Sequence, residues 1–280
     1  MKRLPILSLA GLTLFGIFIW THDLSWTEDA SDTLPVLVAF PLLIWLTMPW
    51  KWKTTPGTIR TWSLLGALGL CLAGVIAQAN LLLVLGWLLF FDIFQTTFLE
   101  GFSRRFLLLP LFGFPWVMQD FPALGWFFRH SGAGAVEIMF QGLGYNVARE
   151  GTLLYIGDLP LSIEPACAGL NVLQAMLVAG SLVICLMVPS GWRFAVAVAA
   201  LLPLAWLANT MRIFMLGFVG VKFGADFAMG WFHQWGGWAV LCVMYLMCQI
   251  FFRALSVRAS KKNGPANFDH DQVLSPKIQS

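Results

Sequence analysis

Apolar blocks of bilayer-crossing length recur along the whole of this chain, separated by short breaks that hold most of its charge. A helix of roughly 17–25 apolar residues crosses a hydrocarbon core of about 30 Å. Blocks of that order lie at Leu4–Trp20, Leu34–Trp50, Thr61–Ala79, Leu81–Leu99, Phe106–Met118, Gly169–Val188, Phe194–Ile213 and Trp235–Phe252. Hydrophobic residues make up 59% of the 280 and charged residues 11%, far more apolar surface than one soluble core buries. The expected fold is therefore all-α, a polytopic membrane bundle of about eight transmembrane helices. Phe106–Met118 is the weakest block, short and interrupted by Pro110 and Pro115. Leu4–Trp20 has no clear small-residue cleavage site before the acidic loop that follows, so it reads as a retained first span.

The charges orient the bundle, because loops kept in the cytoplasm carry the excess of Lys and Arg. With eight spans, Lys2, Arg3, Lys51, Lys53, Arg60, Arg104, Arg105, Arg193, Arg253, Arg258, Lys261, Lys262 and Lys277 share one side, thirteen of the seventeen basic residues. That side is expected to be the cytoplasm, with both termini in it and the chain in a prokaryotic inner membrane. Most acidic residues, Asp23, Glu28, Asp120, Glu137, Asp158 and Glu164 among them, fall on the other side. Residues 1–255 then form the transmembrane domain, and the polar stretch 256–280 a disordered cytoplasmic tail. A net charge of +3 with no basic, aromatic-interleaved patch outside the apolar blocks excludes nucleic acid as the main partner.

The longest extracytoplasmic segment is Asp120–Glu164. Its first part, Phe121–Phe140, is apolar but broken by Arg129, His130 and Glu137, and reads as an interfacial helix lying along the membrane. Its second part, Tyr145–Ile163, sets turn residues Gly151, Gly157, Asp158 and Pro160 around a β-favouring run, as expected of a small hairpin.

Chemistry concentrates immediately afterwards. Four of the five cysteines, Cys71, Cys185, Cys242 and Cys248, sit inside apolar blocks, where they act as small hydrophobes. Cys167 does not. It follows Glu164 and Pro165 and precedes a long helical block, so it falls at or near a helix N-terminus. Unpaired amides and the helix dipole there stabilise an anion and favour thiolate over thiol. In the next span, Asn209 and Arg212 are three apart and share a helix face. An arginine at membrane depth usually faces the protein interior or a watery cavity, and this one suits a thiolate, a substrate carbonyl or an oxyanion. His233 heads the last span between large aromatics, and a histidine is the usual proton shuttle beside a cysteine nucleophile. Each also has a plainer reading: a packing cysteine, a snorkelling arginine, a belt histidine. The common level of the three at the extracytoplasmic ends of different spans favours one shared pocket. Glu164 either orients that pocket or is a solvated loop charge. No histidine spacing suits a metal, and no cofactor is expected. Asp92, a costly carboxylate within the fourth span, stays unassigned: a proton-relay or a structural residue, with Gln95 and Thr96 as candidate hydrogen-bond partners while protonated.

The succession E-x-x-C-A-G-L at Glu164–Leu170, A-N-x-x-R-I at Ala208–Ile213 and F-H-x-x-x-G-W at Phe232–Trp238 resembles the exosortase and archaeosortase family. The resemblance is closest over a catalytic core of about 142–252, and the first hundred residues match only as apolar spans. It implies a membrane-embedded cysteine transpeptidase or protease that cuts C-terminal sorting signals (PEP-CTERM-like) of exported proteins: a short motif, one transmembrane helix and a basic end. By that resemblance Cys167, Arg212 and His233 are catalytic and Asn209 supporting. Ala168 stands where the family's commoner form has serine. Exported proteins and membrane lipid are the implied partners. The alternative is a transporter or channel with Arg212 and His233 as an anion-binding site, though no paired broken helices of inverted topology are visible.

Overall fold

The structure is a computed structural model and describes residues 3–24, 30–163, 170–228, 230, 232 and 237–262. Helices α1 (Arg3–Thr21) and α2 (Ala30–Thr47) lead through β1 (Lys51–Trp52) to a helical hairpin, α3 (Thr61–Ala77) and α4 (Asn80–Phe98), followed by β2 (Leu99–Glu100). After a 3-10 turn at Arg104–Leu107 come α5 (Leu108–Gly113), α6 (Trp116–Asp120) and α7 (Pro122–Gly142). A small antiparallel meander, β3 (Val147–Glu150), β4 (Leu153–Ile156) and β5 (Leu159–Ser162), precedes α8 (Leu170–Met187), α9 (Trp192–Phe223), α10 (Ala225–Phe227) and α11 (Gly237–Lys262).

Among the described residues, Leu4–Thr21, Asn80–Phe98 and Trp192–Phe223 are long and apolar enough to cross a membrane, and Leu37–Thr47, Thr61–Ala77, Leu173–Met187 and Cys242–Ala254 are shorter apolar helices. These segments coincide with seven of the expected blocks. Their outward faces are apolar: Trp62 is 85% exposed, Ile76 75% and Ile250 69%. Water would penalise such a surface and lipid does not, so the chain is a helical membrane protein.

The fifth expected block departs from a single helix. It is the 3-10 turn followed by α5 and α6, broken at Phe114 and Pro115. Proline lacks the N–H that would continue the helical ladder and keeps the residue before it extended, and Phe114 is extended at φ −95°, ψ 144°. The freed carbonyls are met from another helix. Gln174 of α8, fully buried, donates to the Phe112 carbonyl and, at 3.3 Å, to that of Phe114.

Close helix approach is set by small residues. A Cβ at Gly86 would lie 2.5 Å from Cys71 Sγ and 3.1 Å from the Ala67 carbonyl, so α3 and α4 pack backbone against backbone. Gly180 of α8 is likewise covered by Leu201 of α9. Cys71, Cys185 and Cys248 occupy packed positions, as expected of small hydrophobes.

Tethers at the two ends of the bundle are polar. At one end, Lys51 pairs with Glu100 and Trp52 with Leu99 across β1 and β2, while Lys53 Nζ donates to the Thr96 carbonyl at 2.5 Å, tying off the C-terminus of α4. At this same end Arg104 holds Asp92 through two hydrogen bonds of 2.8 and 2.9 Å, and Arg105 reaches the Cys185 carbonyl and Ser190. Asp92 is thus a tether, held by Arg104 and, as expected, by Gln95 at 2.5 Å. At the other end the Asp120 carboxylate accepts from the amides of Asn80 (2.9 Å) and Leu81 (2.6 Å), capping α4 from forty residues away. A carboxylate on two free amides at a helix N-terminus is worth about 1–2 kcal/mol. Asp120→Ala is expected to lower the melting temperature of the detergent-solubilised protein by several degrees, about 2–4 °C for each kcal/mol lost, whereas Asp120→Asn, which keeps an acceptor, retains most of the cap.

Candidate active site

Helix α9 carries the described part of the expected site. At 1.5 Å per residue, the twenty residues from Trp192 to Arg212 rise about 30 Å, the thickness of a hydrocarbon core. Arg212 therefore lies about one hydrocarbon thickness along α9 from Trp192. The helix does not stop at Ile213, as the apolar block alone implies, but runs on to Phe223. The extension is stabilised by what docks on it. Gly217 leaves room for Ile156, Leu161 and Phe140, and Gly220 for Leu159, with would-be Cβ contacts of 2.8–3.2 Å. The expected hairpin is a three-stranded sheet, turned at Gly151 and Gly157 with φ of +65° and +60°. It is fastened to α7 by an Arg149–Glu137 ion pair of 2.8 Å. The segment expected to be an interfacial helix is α7, a continuous helix despite Arg129, His130 and Glu137.

Cys167, His233 and Glu164 lie outside the described residues. Their chain neighbours do not. Ile163, next to Glu164, is 2% exposed and packs in one cluster with Ile213 and Leu216 of α9, to which Phe232, next to His233, also packs. Ile213 adjoins Arg212, so three stretches far apart in sequence converge on the C-terminal third of α9. Helix α8 spans Leu170–Met187.

Arg212 is partly buried and makes no hydrogen bond or ion pair with any described residue. Asn209, on the same face, is 1% exposed, and neither its Nδ2 nor its Oδ1 has a partner. Thr210 is 2% exposed with Oγ1 unpartnered, and Arg129 Nε of α7 is buried without a partner. Leaving such a group unmade costs about 1–3 kcal/mol; among the described residues Gln119 Oε1 and Gln174 Oε1, on α6 and α8, are unpartnered as well. Arg129 and Thr210 are not site candidates in the sequence. Arg129 reads there as an interruption of an apolar stretch, and its charge within that stretch is the one signal that could have marked it.

A helical membrane protein with a guanidinium and a buried, unsatisfied carboxamide in the C-terminal half of one long helix, near two other segments, is the class defined by this architecture. Residues 7–250 match the transmembrane exosortase family, and the chain belongs to it. No curated protein and no solved structure matches it.

Proposed function

We propose that this chain is a cysteine peptidase or transpeptidase that removes C-terminal sorting signals from exported proteins at the extracytoplasmic face of a prokaryotic inner membrane. Membership of the transmembrane exosortase family supports the reading as a sorting-signal processing enzyme. The observation that supports the specific site is the convergence of Ile163, Ile213 and Phe232, the neighbours of Glu164, Arg212 and His233, in one cluster.

In this mechanism the Cys167 thiolate attacks the carbonyl carbon of the scissile peptide bond. The negative charge that develops on the carbonyl oxygen is met by the Arg212 guanidinium. His233 takes the thiol proton and returns it to the leaving amine as the C–N bond breaks. The thioester is then resolved by an amine, a lipid hydroxyl or water, which receives the acyl group and restores the thiol. The basic end of the bundle, with Lys51, Lys53, Arg104 and Arg105, faces the cytoplasm in this orientation, with both termini there.

The test uses an exported reporter ending in a short motif, one apolar helix and a basic cluster, copied from proteins of the same genome that share such an ending, with a C-terminal tag. Co-expression with the chain is expected to yield a faster-migrating, tag-free product that is absent without it. Equal tag retention in both cultures would overturn the peptidase reading and return attention to anion transport.

A further inference from the structure

Helices α7 and α9 touch where their polar residues meet. Trp206 Nε1 donates to Ser131 Oγ at 2.9 Å, a Cβ at Gly132 would lie 3.5 Å from Thr210 Oγ1 and 3.6 Å from Ile213 Cδ1, and the rings of Phe140 and Phe214 are 4.9 Å apart. Arg129 lies one helical turn before Gly132 on α7, on the same face. Asn209 is the neighbour of Thr210 on α9. The unpartnered Arg129 Nε and Thr210 Oγ1 therefore belong to one seam, and the unpartnered Asn209 amide lies one position away on α9. Arg212, three residues beyond Asn209 and partly exposed, connects that seam to the surface.

The chemistry of the vacant valences selects a partner. Asn209 offers a donor and an acceptor from one planar carboxamide, and the group that satisfies both at once is another amide. A free anion would face Oδ1 with a second acceptor, and a cation would face Arg129. Arg129 Nε donates only, and suits a carbonyl oxygen. We propose that Arg129 and Thr210, together with Asn209, form a clamp for the backbone of an extended peptide, positioning the substrate's peptide groups beside Arg212. This rests on the peptide-processing reading and adds Arg129 and Thr210 as substrate-positioning residues. The clamp leaves its hydrogen bonds unmade in the free enzyme, and binding of the peptide makes them.

In a clamp, unlike a structural hydrogen bond, removing an unsatisfied group stabilises the free protein while weakening substrate binding. The experiment uses the full chain in detergent, the tail-bearing reporter as substrate, and the variants Thr210→Val and Arg129→Met, which keep shape and lose hydrogen bonding. Thr210→Val is expected to raise the melting temperature by about 2–4 °C. Both variants are expected to raise KM about ten-fold, the worth of roughly one hydrogen bond, with kcat changed less than about two-fold, the pattern of lost ground-state binding. Arg129→Lys, which keeps a donor, should fall between. A lower melting temperature for Thr210→Val, or unchanged KM in both variants while wild type cuts, overturns the clamp and leaves the peptidase reading standing; the same result follows if water fills the seam. If wild type itself fails to cut, the peptidase reading falls and the clamp with it.

Discussion

Cys167→Ala is expected to reduce tail removal by at least about 10³-fold, to the level of cells lacking the chain, since deleting a covalent nucleophile leaves only binding and oxyanion stabilisation. Cys167→Ser is expected to be nearly as inactive. Amides at a helix N-terminus favour a thiolate, but an alcohol is far too weak an acid to be ionised by the same field. The measurement is reporter mobility and tag retention, with membrane insertion of each variant followed on the same blot. Cys71, Cys185 and Cys248 are packed between helices, so replacing the only exposed described cysteine, Cys242, by serine should leave processing intact and provide the background for selective alkylation of Cys167. Retained processing in Cys167→Ala would remove the nucleophile from the mechanism.

Arg212→Ala is expected to lower kcat/KM by about 10²–10³-fold, the usual cost of one oxyanion donor. The guanidinium makes no described hydrogen bond or ion pair, so the melting temperature should stay within about 2 °C of wild type, because surface or unpaired substitutions rarely cost more than about 0.5 kcal/mol. That separation of activity from stability distinguishes a charge kept for chemistry from one kept for structure. Arg212→Lys should recover only part of the loss, because an ammonium lacks the planar fork that meets a developing oxyanion. A severe Arg212→Ala beside a neutral Cys167→Ala would instead indicate anion transport.

Much of the bundle is legible residue by residue. The apolar blocks of α1, α4 and α9 can be read directly, because transfer to lipid is nearly additive along a helix. The shared face of Asn209 and Arg212 follows from a spacing of three. The break between α5 and α6 is written in Pro115, although the helper that repairs it, Gln174, is not. The third strand is hidden because Val147–Glu150 mixes Arg149 and Glu150 into an otherwise short run, and what holds it is pairing with β4, burial of Val147 and the ion pair to Glu137 on α7. The extension of α9 past Ile213 is hidden for a similar reason: Gly217 and Gly220 weaken a helix in isolation, and only the sheet packed into their grooves makes them favourable.

The sequence by itself determined the solvent this protein folds in, most of its helices, and the residue types available for acyl-transfer chemistry. Those properties depend on composition over one helical length or on contacts one turn apart. Which helices touch, that Asp120 caps α4, that Asp92 is tied to Arg104, and that Gly132 of α7 packs against Thr210 of α9 were decided by the tertiary structure alone. Each joins partners from separate elements, and the energy of such a pair exists only once the packing has brought both members together.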